Sequence, residues 1–141
     1  MSAEDIYQDI ILEYYRNPVN FGHLSNPTIK AQDSNPLCGD QIGMELLVES
    51  KQTDTEGVKA VITDVRFYGK GCAISQASAG MLTEKIKNMT VEEASKLTRD
   101  DVLNMIGVEL SPVRSKCALL SLKVMKLCAY QHLGKEMNEK I

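Results

Sequence analysis

The chain has no tryptophan, and its five tyrosines and two phenylalanines make up only 5% of 141 residues. So few rings argue against a stacking platform for single-stranded nucleic acid. No run of five basic residues occurs and the net charge is −3, so a phosphate-tracking protein is not expected either. No apolar run approaches the roughly 20 residues needed to cross a bilayer. The first ten residues, MSAEDIYQDI, lack the basic and apolar stretches of a secretory signal. A cytoplasmic protein, acting on neither nucleic acid nor membrane, is the expectation. Four cysteines are present without a single C-x-x-C pair. In a reducing compartment such thiols are expected free, which favours metal or thiol chemistry over structural disulfides.

With 43% hydrophobic and 25% charged residues, the chain can bury a core as one domain over residues 1–141. Ile6, Ile10 and Tyr14, with Tyr7 and Ile11, recur at helical spacing over 4–16, after Ser2 as N-cap and with Glu4 and Asp5 in the first turn. Asn17-Pro18 ends that helix, and 18–27 reads as a loop. Strands are expected over 28–34, 42–49 and 58–68, with 51–57 as a polar hairpin loop. In the second strand Ile42, Met44, Leu46 and Val48 alternate with Gly43, Glu45 and Glu49, and Leu47 breaks the alternation. An antiparallel meander with one buried face follows.

The second half is helical. Gly69-Lys70-Gly71 turns into a helix that runs to about Asn88, and its first half (Ala73 to Gly80) is built of small residues that permit close packing. Thr90-Val91-Glu92-Glu93 is a capping box for a short helix to Lys96. Thr98 opens another that stops before Gly107. The longest helix runs from Pro112 to about Leu133, with Gly134 at its C-cap, and a frayed tail over 135–141. The fold class is α+β: an N-terminal helix, a three-stranded antiparallel sheet, then helices packed on one face, the last one long.

Asn35-Pro36-Leu37-Cys38-Gly39-Asp40 is the most informative stretch. In an extended segment Cys38 and Asp40 would point the same way, a soft thiolate and a hard carboxylate aimed at one site, as a metal would need. An ordinary Asx turn carrying a buried cysteine is the simpler alternative. Cys72 lies in the Gly-rich strand-to-helix turn, and Cys117 lies early in the last helix. A helix N-terminus favours thiolate, and Lys70, Arg114 and Lys116 add positive charge. Cys128 returns to nearly the same helix face as Cys117 but about 16 Å away at ~1.5 Å rise per residue. One ion cannot reach both, so Cys128 is expected in the core. His23 is expected at the surface, and His132 as a cation near a helix C-terminus.

Tyr14-Tyr15-Arg16-Asn17-Pro18, the Cys38 motif, Gly69-Lys70-Gly71-Cys72-Ala73-Ile74-Ser75 and Pro112-Val113-Arg114-Ser115-Lys116-Cys117-Ala118 occur in that order. Together they resemble the IscU/SufU family of iron–sulfur cluster assembly scaffolds, from about Ile6 to Leu133. The resemblance implies a scaffold or carrier rather than an enzyme. A transient [2Fe–2S] cluster would be built on Cys38, Cys72 and Cys117 with sulfur from a cysteine desulfurase, then passed to recipient apo-proteins. A homodimer sharing the cluster is one arrangement open to it. Asp40 matches the family's aspartate, which makes the cluster labile and can ligate zinc when the cluster is absent. Two features depart from the pattern. Lys116 stands where IscU-type members have histidine, as in SufU-type members, yet residues 73–116 leave no room for the usual SufU-type insertion. The chaperone motif of the IscU branch appears as Leu110-Ser111-Pro112-Val113-Arg114. A zinc-dependent acceptor that takes persulfide sulfur at Cys38 is the competing reading, and a purely structural zinc site is a third.

Overall fold

The computed structural model describes residues 3–134, with side chains from Gln8 onward. The expected N-cap Ser2 and the tail 135–141 lie outside those residues, as do the side chains of Glu4, Asp5, Ile6 and Tyr7. The order of elements is α1 (Ala3–Arg16), β1 (Ile29–Asn35), β2 (Asp40–Thr53), β3 (Gly57–Lys70), α2 (Ala73–Ile86), α3 (Val91–Ser95), α4 (Arg99–Ile106) and α5 (Pro112–Leu133). The three strands form an antiparallel sheet in the order β1-β2-β3. The α+β architecture is the expected one.

The strands run further than the apolar alternation suggests. Lys51, Gln52 and Thr53 pair with Lys59, Val58 and Gly57, so the hairpin loop shrinks to 54–56. Thr53 closes it: its hydroxyl donates to the Gly57 carbonyl at 2.7 Å and accepts from the Glu56 N–H at 3.1 Å. Leu47, which breaks the alternation, sits at a shift in register between Leu47 and Val48. Such a bulge lets the pattern change face without ending the strand.

One face of the sheet carries Ile42, Met44, Leu46, Val65 and Phe67 into the main core, with Leu82, Ile86, Leu122 and Met125 from α2 and α5 packed on it. Close approach of the two helices depends on the small stretch of α2. Ser78 Oγ donates to the Ala118 carbonyl at 2.6 Å and lies 3.1 Å from Ser121 Oγ. A second cluster of Ile11, Ala77, Met81, Ile106 and Ala118 joins α1 to the helical layer. The short helices start as expected. Thr90 with Glu93 and Thr98 with Asp101 both form reciprocal capping boxes.

The opposite face is not bare. The loop after α1 bonds to the free edge of β3 through Phe67 N–H to Asn20 O at 2.9 Å and Gly22 N–H to Phe67 O at 2.8 Å. It then crosses to Glu45, which is only 5% exposed although the alternation faces it to solvent. His23 Nδ1 at 2.7 Å and the Leu24 N–H at 2.8 Å satisfy the Glu45 carboxylate. A buried charge needs such partners.

Candidate functional site

Three junctions converge at one end of the sheet. The first is the β1–β2 turn, closed by the cross-strand pair Asn35 and Asp40. Asn35 organises it. Its side-chain Oδ1 accepts from the Leu37 N–H at 3.1 Å, and its carbonyl accepts from the Gly39 N–H at 2.9 Å. Gly39 takes the left-handed conformation at φ +71°, which costs glycine little. Cys38 and Asp40 are therefore joined by a turn rather than by an extended segment. They meet all the same, because the turn brings Cys38 Sγ to 2.9 Å from Asp40 Oδ2. The Asx turn of the simpler alternative is present as well, but its cysteine is exposed rather than buried.

The second junction leads from β3 into α2. Gly69, at φ +124°, lies so close to β2 that a Cβ would stand 2.0 Å from the Gln41 carbonyl oxygen. Gly71 lies against the site itself: a Cβ there would stand 2.5 Å from Asp40 Oδ1 and 2.4 Å from Ser75 Oγ. Cys72 is the N-cap of α2. Its N–H donates to Asp40 Oδ1 at 2.9 Å, and its Sγ lies 3.9 Å from Oδ2. The third junction is the start of α5. Ser111 caps the helix, Pro112 occupies its first turn, and Cys117 follows in the second turn, with Sγ 3.1 Å from Cys38 Sγ.

The donor atoms of Cys38, Asp40 and Cys117 all lie within 4.8 Å of one another; Cys72 Sγ stands outside that tight group and adjoins it through Asp40, at 3.9 Å. Asp40 is 1% exposed. Burial works against its charge, but hydrogen bonds from the Cys38 thiol, the Cys72 N–H and the other two thiols outweigh it and hold its pKa below the usual value. Cys117 behaves otherwise than its place near a helix start suggests. Burial pushes its thiol well up, and its bonds with Cys38 and Asp40 push it further. At 1% exposure, desolvation outweighs the helix dipole and nearby cations. A metal held here must displace thiol protons. The donor set is suited to holding one, since three sulfurs and one oxygen match four-coordinate zinc or a thiolate-bound cluster.

The remaining candidates separate cleanly. Cys128 is fully buried, with Sγ 3.7 Å from the Met44 carbonyl, and burial raises its pKa to about 12. His23 is exposed but engaged with Glu45, and His132 is exposed in the last turn of α5. Lys116 is exposed beside Cys117. Sequence reasoning did not single out Gly71 or Ser75 as neighbours of the site, nor Asn35 beyond its part in the turn. Asn35 is 8% exposed and its Nδ2 has no hydrogen-bond partner. Its place at the head of the Cys38 motif was the available signal.

This is a small α+β protein with three thiols and a carboxylate gathered at the end of its sheet. The family model described as NifU-like N terminal domain matches residues 6–139, and the chain belongs to that family. It is 33% identical to the zinc-dependent sulfurtransferase SufU of Bacillus subtilis over 142 aligned positions, covering 89% of this chain and 90% of the relative. It is 32% identical to the iron–sulfur cluster assembly scaffold protein IscU of Thermotoga maritima, covering 86% of this chain and 90% of that one. Among solved structures, a candidate iron–sulfur cluster assembly scaffold protein for the SUF system from Fervidobacterium islandicum superposes with a TM-score of 0.68 at 26% identity, covering 91% of this chain and 99% of that one.

Proposed function

We propose that the protein is a scaffold on which a transient [2Fe–2S] cluster is assembled from iron and from sulfur supplied by a cysteine desulfurase, and from which the cluster passes to apo-proteins. The observation that carries this reading is the gathering of Cys38, Cys72 and Cys117 around one buried carboxylate, with Cys38 open to solvent. The cluster is cargo. Cys38, Cys72 and Cys117 would hold it as thiolates, and Cys38, as the exposed thiol, is where delivered sulfur arrives. Asp40 supplies the fourth ligand. A closed set of four thiolates holds such clusters firmly, whereas a hard oxygen is a poorer match for a soft site and exchanges more readily. A scaffold that must release its cargo benefits from that mismatch.

A second reading is supported by Lys116 before Cys117 and by the 33% identity to a zinc-dependent sulfurtransferase. In it zinc occupies the same four ligands, holding the thiols as thiolates, and Cys38 accepts persulfide sulfur without any cluster. The deciding experiment measures iron, zinc and acid-labile sulfide per chain, with the visible spectrum, on protein purified without oxygen. Equal iron and sulfide, lost on changing Cys38, Cys72 or Cys117, is the expected result. Zinc near one per chain, with no cluster formed when iron, cysteine and a desulfurase are supplied, selects the second reading.

A further inference from the structure

We propose that Cys38 and Cys117 are a peroxide-responsive thiol pair: when the site holds no metal, oxidation closes them into a reversible disulfide that shuts the site to loading. The disulfide itself stands apart from both readings above, and its effect on loading rests on the ligand set they share. Cys38 Sγ and Cys117 Sγ are 3.1 Å apart, although 79 residues separate them in sequence. A disulfide bond is about 2.05 Å long, so the two atoms need approach by only about 1 Å. Cys38 is the partner that can yield. It sits exposed in a turn, ahead of Gly39 at φ +71°, and its N–H is held to the Asn35 carbonyl only at 3.3 Å.

The two thiols differ in access. Cys38 is exposed, whereas Cys117 is 1% exposed. A small oxidant in solution therefore meets Cys38 first, and Cys117 reacts through Cys38. An accessible thiol set beside a resolving one is the arrangement of redox-sensing cysteines. Cys72 is not the resolving partner. Its Sγ stands outside the group formed by the Cys38, Asp40 and Cys117 donor atoms, and its contact is with the Asp40 carboxylate at 3.9 Å rather than with a sulfur. Cys128 is fully buried against the Met44 carbonyl, about 16 Å along α5 from Cys117 at ~1.5 Å rise per residue. Of the four thiols, one pair is placed to close.

The oxidant is hydrogen peroxide. Cys38 Sγ bonds to one peroxide oxygen as the O–O bond breaks, and the other oxygen leaves with the thiol proton as water. Cys38 is then a sulfenic acid, oxidised by two electrons. Cys117 Sγ bonds to Cys38 Sγ, the S–O bond breaks, and the hydroxyl leaves with the Cys117 proton as a second water. One peroxide is thus reduced to two waters while two thiols become one disulfide. A dithiol reductant reopens the pair by thiol–disulfide exchange and is itself oxidised. Closure costs Asp40 its bond from the Cys38 thiol at 2.9 Å but leaves the bond from the Cys72 N–H at 2.9 Å, so the carboxylate stays anchored. Two of the four ligands are consumed, and Cys38 has no thiol left to receive sulfur. Stopping at the disulfide also keeps Cys38 from the irreversible sulfinic acid. A metal that takes both sulfurs as ligands blocks the reaction, so the gate acts on the empty site.

The test uses the full chain, reduced, freed of metal and treated with a stoichiometric amount of hydrogen peroxide. Remaining thiols are alkylated in denaturant and the protein is mapped by mass spectrometry. The expected product has lost two of its four thiols, joins the Cys38 and Cys117 peptides within one chain, and carries the alkyl label at Cys72 and Cys128. Dithiothreitol should restore all four thiols. In Cys117→Ser, dimedone should trap at least tenfold more sulfenic acid at Cys38 than in the unchanged protein. In Cys38→Ser, Cys117 should remain a thiol at the same dose. A disulfide from Cys38 to Cys72, links between chains in place of the internal one, or four thiols left intact would each overturn the proposal. Zinc bound beforehand should slow disulfide formation at least tenfold, and the oxidised protein should take up no zinc until it is reduced. Zinc that binds equally well before and after oxidation overturns the gate. A reduced protein that binds no zinc at all overturns the shared ligand set instead, and leaves the disulfide standing.

Discussion

Gly71→Ala tests how tightly the carboxylate at the centre of the site is held. Only a methyl group is added, but it would stand 2.5 Å from Asp40 Oδ1 and 2.4 Å from Ser75 Oγ. Neither neighbour is a free end. Asp40 Oδ1 accepts the Cys72 N–H at 2.9 Å, and Ser75 Oγ donates to the Cys72 carbonyl at 3.0 Å. Something must move, and each available movement breaks a hydrogen bond at Cys72. A bond to a charged acceptor contributes about 1.5–3 kcal/mol, and overpacking costs about 1–3 kcal/mol. Loss of glycine's freedom in the unfolded chain returns about 0.4–1 kcal/mol. The net expectation is a loss of about 2–4 kcal/mol in urea unfolding of the reduced, metal-free protein, with at least tenfold weaker zinc binding against a chromophoric chelator. The mechanism carries its own control. In an Asp40→Ala background the obstructing carboxylate is gone, so Gly71→Ala should cost at least about 1 kcal/mol less, the coupling expected of residues in contact. A Gly71→Ala variant with near-native stability and zinc affinity, or the same cost in both backgrounds, would refute the reasoning.

Asp40→Ala should lengthen the life of a bound cluster, read as slower decay of the visible absorbance, because the exchangeable oxygen ligand is lost; unchanged decay counts against that role. Cys128→Ser should leave cluster formation intact at a cost of about 1–3 kcal/mol for burying a hydroxyl in an apolar core, and a folded variant that forms no cluster would overturn the core assignment. Glu45 opposes its burial through bonds from His23 and Leu24, and its pKa lies below the ordinary 4.5. A carboxylate whose pKa is depressed by folding stabilises the fold above its unfolded pKa, and that contribution is lost as pH falls through the folded value. Glu45→Gln should therefore be less stable at neutral pH, by about 1–3 kcal/mol, and the gap should close in acid; parallel stability curves would contradict this.

Much of the molecule is legible in local chemistry. The capping pairs at Thr90 and Thr98, the Gly134 stop and the small stretch of α2 act within a few residues of themselves, so their sequence signals survive into the structure. The cysteines at element junctions were legible for the same reason. What sequence reasoning missed is tertiary. Lys51 to Thr53 look like loop because their side chains are polar, yet their backbone pairs across the hairpin. Glu45 alternates as a surface residue until the loop around His23 folds over it. Cys38 and Asp40 meet through a turn anchored by Asn35, not through the side-chain alternation of an extended segment. Cys117 sits beside Cys38 only because α5 packs against β1, and that same burial reverses the thiolate preference expected of a helix start.

The three thiols are separated by long stretches of chain and are brought together only by the packing of α5 and α2 on the sheet. Any piece of the polypeptide that carries Cys38, Asp40, Cys72 and Cys117 together must span at least residues 38–117, more than half of the chain. On the scaffold reading, holding cargo and being folded would be one equilibrium: whatever binds only the native arrangement adds RT ln(1 + [L]/Kd) to its stability. The reverse also holds. A partner that shifts the start of α5 relative to the β1–β2 turn changes the Cys38–Cys117 distance without touching either sulfur. Under the scaffold proposal, release could thus be driven mechanically, by leverage on a helix, as well as chemically, by exchange at the carboxylate.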